Sequence, residues 1–338
     1  MNAAVLRSPR SLTVGPSATP DLGPDDALVR VALAGLCGTD YRIWSGDRPV
    51  TYPLIMGHEF VGRIEAIGGN VAHLRVGQRV VAEPNYSCGR CPLCLEGNRN
   101  LCPRRTAIGI DADGAFAELA ALPAKCCWPV ADSVPDDAAV IAEPLAVVVR
   151  AVNRGLPKPG QTAAVVGGGT LGLLALQVLR AAGVRVLVVS RSARRFALAH
   201  ELGADETHAV ADGPLDVLSR RFSGREGVDL VVETAGTADA VNHAVALARP
   251  GGRVVLTGLP HEPTTLSFFP IVRHEITIVG SMIYQDEFPQ ALGLLETGRV
   301  RTGPLLTHRF DLGSIDAAFA AHRAPDSIKV TVVPRAPR

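Results

Sequence analysis

Apolar and polar positions alternate in short runs through the first third of the chain and gather into longer apolar runs beyond residue 160. Residues 27–33, 60–67 and 79–82 read as β-strands, each bounded by glycine or proline, and together they predict a barrel-like β domain. The Pro157-Lys158-Pro159-Gly160 turn closes this segment. The pattern then changes: 162–166 is a buried-strand run, a helix is expected through Arg180, and 185–189 is a second strand. Strands over 228–233, 253–258 and 275–280, with a helix over about 238–248, continue the scheme, and Pro250-Gly251-Gly252 reads as a turn. Strands alternating with helices predict an α/β unit built on an open parallel sheet. Helical periodicity returns over 286–296 and 313–322, and a strand over 328–333 is expected to rejoin the β domain. The predicted division is therefore 1–145, 146–284 and 285–338, the last returning to the first.

With 338 residues, two domains are more natural than one. A formal net charge of +1 leaves no electrostatic footprint for nucleic acid or an anionic membrane. No basic, apolar and cleavable leader opens the chain, and the uncharged stretch 161–179 is broken by Gly167-Gly168-Gly169, so neither a signal peptide nor a membrane span is expected. A soluble, cytoplasmic protein is the expectation.

Cysteine placement adds chemistry. Cys88, Cys91, Cys94 and Cys102 stand at C-x2-C-x2-C-x7-C spacing in a small lobe near 86–104. Four thiolates suit a closed structural zinc site. Two disulfides are the rival, which a reducing compartment disfavours. Cys126 and Cys127 adjoin Trp128 in a strand-like run and read as buried core residues. Upstream, Cys37, His58 and Glu59 supply a thiolate, an imidazole and a carboxylate, three zinc-type ligands that would leave one position open for catalysis. Taken alone, these three fit a buried cysteine and a satisfied core histidine equally well. Glu143 precedes Pro144 at the mouth of a predicted helix, as a cap or as a carboxylate aimed elsewhere.

The run Gly167-Gly168-Gly169-Thr170-Leu171-Gly172 matches G-x-G-x-x-G between a strand and a helix, with a second strand following. In that setting the glycines allow a tight turn and let a pyrophosphate reach the helix N-terminus, the Rossmann arrangement.

In this order, Cys37, Gly57-His58-Glu59, the four-cysteine lobe and the fingerprint resemble the zinc-dependent medium-chain dehydrogenase/reductase superfamily, the alcohol dehydrogenase-like enzymes, over essentially the whole chain. The pairing of His58-Glu59 with Glu143-Pro144-Leu145 resembles its polyol and threonine dehydrogenase branch. The resemblance implies a Rossmann parallel-sheet cofactor domain plus a discontinuous GroES-like β-barrel catalytic domain with a structural zinc lobe. It implies two zinc ions per chain, one on Cys37, His58 and Glu59 with Glu143 as a nearby or exchangeable ligand. Thr39 would hydrogen-bond the substrate alcohol; Gly167, Gly169, Leu171 and Gly172 would bind the cofactor, with Thr257, Gly258 and Leu259 on the nicotinamide side. A homodimer or homotetramer formed through the cofactor domain would follow.

Three departures from the family pattern matter. Arg42 stands where many relatives have a proton-carrying histidine; an arginine cannot act as a base but can bind phosphate. Ile43 and Ile283 stand where sorbitol-type enzymes have polar groups, suggesting a less hydroxylated or cyclic secondary alcohol. Finally, the second strand of the cofactor domain ends in Ser190 rather than an acid, and Arg191 and Arg195 follow, which points to NADP rather than NAD. The expected function is hydride transfer between a secondary alcohol or ketone and NADP(H), in either direction. The alternatives are an NAD-dependent polyol dehydrogenase and, in another class, a catalytically inactive zinc- and nucleotide-binding sensor or structural protein.

Overall fold

Strands buried over most of their length run through the middle of both structural units, among them Asp26–Leu36 and Arg79–Ala82 in the first and Thr162–Val166 and Val228–Glu233 in the second. The computed structural model describes residues 1–259, 263 and 265–334. Its contacts divide the chain into Met1–Glu143 with Ala291–Glu296 and Thr302–Arg338, and Pro144–Gln290 with Thr297–Arg301.

The main sheet of the first unit runs Cys127–Pro129, Arg79–Ala82, Glu59–Ile67, Asp26–Leu36, Lys329–Val333, Leu306–Asp311, with Leu119–Pro123 pairing onto Asp26–Leu36 off this path. All neighbours are antiparallel except the last two strands. The C-terminal strand does rejoin the β unit, Val330 lying opposite Leu36. Register shifts between Leu28/Val29 and Val31/Leu33 mark bulges, which bend and twist a long strand. A smaller sheet of Ser11–Pro16, Asn2–Ser8 and Leu54–Ile55 accompanies it. Phe116, Phe319, Leu6 and Met56 are fully buried in the core, and Cys126 and Cys127 pack there too, as the sequence predicts.

The second unit is a six-stranded sheet in the order Glu206–Ala209, Arg185–Ser190, Thr162–Val166, Val228–Glu233, Ala248–Leu256, Thr277–Gly280. Every pair is parallel. Numbered along the chain this is 3-2-1-4-5-6, the order that switches direction between its first and fourth strands and binds dinucleotides there. Pro250-Gly251-Gly252 forms the expected kink, with Gly251 at φ +67° and regular pairing resuming at Arg253. It lies inside the strand Ala248–Leu256, where a register shift between Val228 and Leu230 absorbs it. The uncharged stretch 161–179 is divided between the strand Thr162–Val166 and the helix Thr170–Ala181. Among the described residues, no helix is long and apolar enough to cross a membrane.

Candidate functional site

The cysteine lobe is a hairpin of short elements. Asn85–Tyr86 pairs with Thr106–Ala107 at its base, and the single-turn helix Pro92–Leu95 starts directly after Cys91. No cysteine is in a disulfide. The Sγ atoms of Cys91 and Cys94 lie 3.4 Å apart, Cys91 and Cys102 3.8 Å, and Cys102 and Cys88 3.5 Å. A tetrahedron with metal–sulfur arms of about 2.3 Å has edges of about 3.8 Å, so the set fits zinc. The protonation of the group points the same way. The Cys88 thiol is pushed down to about 5, first by the backbone N–H of Arg90 and then by the Arg104 guanidinium. Cys91 is pushed up to about 11: the backbone N–H of Cys94 favours its thiolate, but burial and the neighbouring cysteines outweigh it. Four such sulfurs shed their protons together only around a cation.

Cys37, His58 and Glu59 form a second group, each offering one ligand atom, all within 4.8 Å of one another. Cys37 stands where the strand Asp26–Leu36 ends and the helix Gly38–Ser45 begins. His58 directly precedes and Glu59 opens the strand Glu59–Ile67, reached through Gly57 at φ +94°. A Cβ on Gly57 would stand 2.8 Å from the Phe116 ring, so the turn demands glycine for space as well as for φ. Gly35, opposite Glu59 in the sheet, plays the matching part: a Cβ there would lie 2.2 Å from Glu59 Oε2.

Two residues that sequence reasoning missed hold this set. Asp40 is fully buried. Its Oδ2 accepts from the Cys37 backbone N–H at 2.9 Å, its Oδ1 accepts from Gly57 N–H at 3.4 Å, and Oδ1 also lies 3.3 Å from His58 Nδ1. That last approach is a charge contact whose angle makes no hydrogen bond. With Asp40 on the Nδ1 side, Nε2 is left for a metal. Burial disfavours a charged His58, yet the Asp40 charge and then Cys37 raise its pKa well above the usual value. Lys329, also buried, donates to Glu59 Oε2 and, at 3.4 Å, to the Leu36 carbonyl. Burial alone would lower its pKa, but Glu59, Cys37 and Glu143 together raise it.

The other expected metal-site residues fall around this core. Glu143 lies in the first turn of the helix Ala142–Gly155 and is buried. It is outside the close-set group of three and makes itself felt as a charge on Lys329. Thr39 is half-buried in the first turn of the helix Gly38–Ser45, its hydroxyl without a partner among the described residues. Arg42 lies in that helix's last turn, and its guanidinium is also unpaired among the described residues. Ile43 does not line a pocket. It is fully buried in the hydrophobic core, so its apolar character reflects packing and carries no information about substrate polarity. Ile283 is half-buried and held at φ +41°, an uncommon conformation for a β-branched residue.

In the second unit the fingerprint lies between the strand Thr162–Val166 and the helix Thr170–Ala181. Gly169 is that helix's N-cap and supplies no side-chain acceptor, so the first-turn N–H groups are available to an anion. A Cβ on Gly172 would lie 1.8 Å from the Gly167 carbonyl oxygen. Leu171 follows in the first helical turn. Arg195 Nη1 donates to the Gly168 carbonyl at 2.9 Å, drawing its guanidinium onto the loop. The strand Arg185–Ser190 ends at Ser190, whose Oγ lies 3.3 Å from where a Gly168 Cβ would be; Arg191 is exposed and unpaired among the described residues. Thr257 and Gly258 both donate backbone N–H bonds to the Glu233 carbonyl, and Leu259 is exposed. The buried hydroxyls of Thr257 and Ser281 have no partner among the described residues. Orphaned donors at the carboxyl ends of the strands fit a site that takes a polar cofactor.

Comparison with known proteins matches residues 23–132 to the alcohol dehydrogenase GroES-like domain and residues 170–297 to the zinc-binding dehydrogenase domain. The chain is 34% identical over 341 residues to a sorbitol dehydrogenase of Arabidopsis thaliana, covering 97% of this chain and 94% of that protein. It is similar in structure to a zinc-binding dehydrogenase of Sinorhizobium meliloti 1021 bound to NADP, with a TM-score of 0.94, 35% identity, and coverage of 98% and 99%. It also resembles the short chain alcohol dehydrogenase rspB of Escherichia coli CFT073 complexed with NADH, with a TM-score of 0.92, 32% identity, and coverage of 98% and 99%.

Proposed function

We propose the function of this chain from one premise: it belongs to the zinc-dependent medium-chain dehydrogenase/reductase superfamily. It is an alcohol dehydrogenase-type enzyme, and the reaction we assign is hydride transfer between a secondary alcohol, or its ketone, and NADP(H). The observation that carries this is the convergence of Cys37, His58 and Glu59 within 4.8 Å on a chain whose second unit has the 3-2-1-4-5-6 sheet and glycine fingerprint.

A zinc held by Cys37, His58 and Glu59 would supply Lewis-acid polarisation of the substrate oxygen. A nicotinamide held by the second unit would supply the hydride acceptor. Cys37 and His58 are held for ligation by Asp40, and Glu59 by Lys329, which offsets one of the negative charges gathered there. The Thr39 hydroxyl would accept the proton of the substrate alcohol as it gives its own to solvent water; Arg42, permanently protonated, cannot take it as a base. Cys88, Cys91, Cys94 and Cys102 would hold the second, structural zinc. Glu143 would act beside the catalytic site through its charge on Lys329.

Three finer readings belong to the proposal. NADP is favoured because Ser190 presents no carboxylate to a 2′-phosphate, Arg191 is unpaired among the described residues, and Arg195 already lies against the fingerprint. The relative complexed with NADH makes NAD the rival. A homodimer or homotetramer is favoured by the exposed features of the second unit taken up below. The cytoplasm is favoured because seven cysteines stand free of disulfides.

The test is a screen of secondary alcohols and ketones with both cofactors, run with metal analysis. Turnover that needs zinc, with kcat/KM higher for NADP, is the expected result; a higher value for NAD would overturn the cofactor assignment. Ser190→Asp is expected to shift the ratio toward NAD, because a carboxylate would then face the 2′-phosphate.

A further inference from the structure

Glu233 is the last residue of the strand Val228–Glu233, and it is fully buried. Among the described residues, no lysine, arginine or histidine pairs with it, and its Oε2 has no hydrogen-bond partner. Burial raises its pKa above the ordinary carboxyl value, against the pull of the Gly236, Ala235 and Gly258 N–H groups. A carboxyl sealed in this way costs stability that an apolar residue would not cost, and Val231 and Val232, just before it in the strand, are apolar and fully buried. Breaks of this kind in an otherwise consistent element gather at functional or strained positions.

The carboxyl sits where segments of the cofactor edge meet. Its Oε1 accepts from the backbone N–H groups of Ala235 at 2.6 Å and Gly236 at 2.8 Å, which curls the 234–236 loop back over the strand end. Its Oε2 lies against the 257–259 turn: a Cβ on Gly258 would stand 2.7 Å from that oxygen and 2.2 Å from the Gly236 nitrogen. The Glu233 carbonyl meanwhile accepts from the N–H groups of Thr257 and Gly258, so one residue fixes both the loop and the turn. The fingerprint packs on the same loop. A Cβ on Gly167 would lie 2.6 Å from Thr234 Oγ1 and 3.2 Å from the Ala235 nitrogen. Thr234 in turn donates to the Val166 carbonyl through its N–H at 2.9 Å and its hydroxyl at 3.0 Å. The two strands that flank Val228–Glu233 therefore lead into the fingerprint and into the 257–259 turn, beside the point where the strand order reverses. Fully buried, Glu233 acts on a bound cofactor through the backbone it holds.

We propose that Glu233 is a positioning residue for the dinucleotide: its carboxyl holds the 234–236 loop at a fixed distance from the 257–259 turn, and so spaces the fingerprint from the nicotinamide side. The proposal rests on the dehydrogenase reading and adds a residue that the reading does not use. The reach of the side chain is what matters. Glutamine keeps that reach and an acceptor oxygen for the Ala235 and Gly236 N–H groups, whereas aspartate keeps the carboxyl but is one carbon shorter.

The experiment compares the wild type with Glu233→Gln and Glu233→Asp as zinc-loaded, full-length proteins. Affinities for NADPH and NADH are measured by calorimetry without substrate, and kcat and the KM values of cofactor and alcohol by turnover. Glu233→Asp is expected to raise the Kd and KM of the cofactor about tenfold, the order of a lost buried hydrogen bond, with kcat and the alcohol KM within about twofold of the wild type. Glu233→Gln is expected to bind the cofactor as the wild type does. A role confined to stability would lower the melting temperature of either variant without moving cofactor affinity, and that result would overturn the proposal. So would a glutamine variant as weak as the aspartate variant, because reach would then not be what counts. A second measurement needs the wild type alone and decides the matter if Glu233→Asp does not fold. Hydrogen exchange at 234–236 and at 257–259 is expected to slow together when NADPH or NADH binds; slowing at one segment only would remove the coupling. The two readings fail separately. Turnover of alcohols with normal cofactor binding in Glu233→Asp leaves the dehydrogenase standing and removes the role of Glu233. Glu233-dependent nucleotide binding with no turnover of any alcohol or ketone keeps that role and removes the dehydrogenase assignment.

Discussion

Asp40 accepts from the backbone N–H groups of both Cys37 and Gly57 and faces His58 Nδ1, so a single buried carboxylate ties together the two segments that present the ligands. Partners that orient ligands in this way typically govern metal affinity by about 10–100-fold. Asp40→Asn is therefore expected to weaken zinc at Cys37, His58 and Glu59 by about that factor and leave the four-cysteine zinc in place. Chelator competition followed by metal analysis would show one zinc lost early and one retained; simultaneous loss of both would contradict this role. A second residue-scale prediction concerns acid. His322 stacks against Tyr41 at a ring separation of 5.9 Å, and its Nδ1 is buried without a partner among the described residues. Burial, and then the charge of Lys329, push its pKa down to about 4. In the unfolded chain the value returns to about 6.5, so between the two the unfolded chain holds the extra proton. The stability tied to neutral His322 is complete above about pH 6.5 and is lost as pH falls toward 4. Melting temperatures across that window are expected to fall less steeply in His322→Phe than in the wild type.

At the scale of elements, the two ligand sets separate by what each is built on. The cysteine lobe consists of a two-stranded ribbon and single turns, and among the described residues its cluster of buried cysteines is joined by Cys88 and Leu93 alone. Without an apolar core of its own, its folding energy has to come from the metal. Cys94→Ala is expected to reduce zinc from two to one per chain and to lower the melting temperature, whereas Cys37→Ala should remove the other zinc with little effect on melting. Equal destabilisation by both would contradict the division. These elements also show why part of the site was legible in the sequence. The lobe's cysteines and the fingerprint lie close together in sequence, and the strand Arg185–Ser190 holds the continuous apolar run Val186-Leu187-Val188-Val189, so spacing and period suffice. Asp40 acts across 17 positions on Gly57 and Lys329 across 270 on Glu59, and no local pattern announces such pairs. Ile43 was misjudged because counting along an eight-residue helix does not tell which side faces the core. Pro250-Gly251-Gly252 has the composition of a turn, and it keeps that character inside the strand: the ladder skips from Ala248 to Arg253 and Gly251 stands at φ +67°.

For the whole molecule, the alternation of strand and helix made the parallel sheet readable, and the order 3-2-1-4-5-6 then left one consequence for assembly. Among the described residues, Thr277–Gly280 is the last strand of the sheet, hydrogen-bonded on one side only, to Ala248–Leu256. Such an edge offers a row of backbone donors and acceptors, and folded proteins usually guard it with charge, proline or a covering element. Here the strand is Thr277, Ile278, Val279 and Gly280, with no charge and no proline. The helix Phe268–Arg273 just before it exposes Phe268, Phe269 and Val272 at 68%, 73% and 76%. Three large apolar side chains so close together are more than the scattered exposure of an ordinary surface. An edge and an apolar patch on one unit suit self-association about a twofold axis, in which each copy offers the same surface to the other. Light scattering on the purified protein is expected to give a dimer or tetramer. Phe269→Asp combined with Val272→Asp should shift it to monomers while far-UV circular dichroism is unchanged, because neither side chain belongs to a core cluster. A wild type that is monomeric at micromolar concentration, or a double variant that keeps its assembly, would remove this surface as the interface.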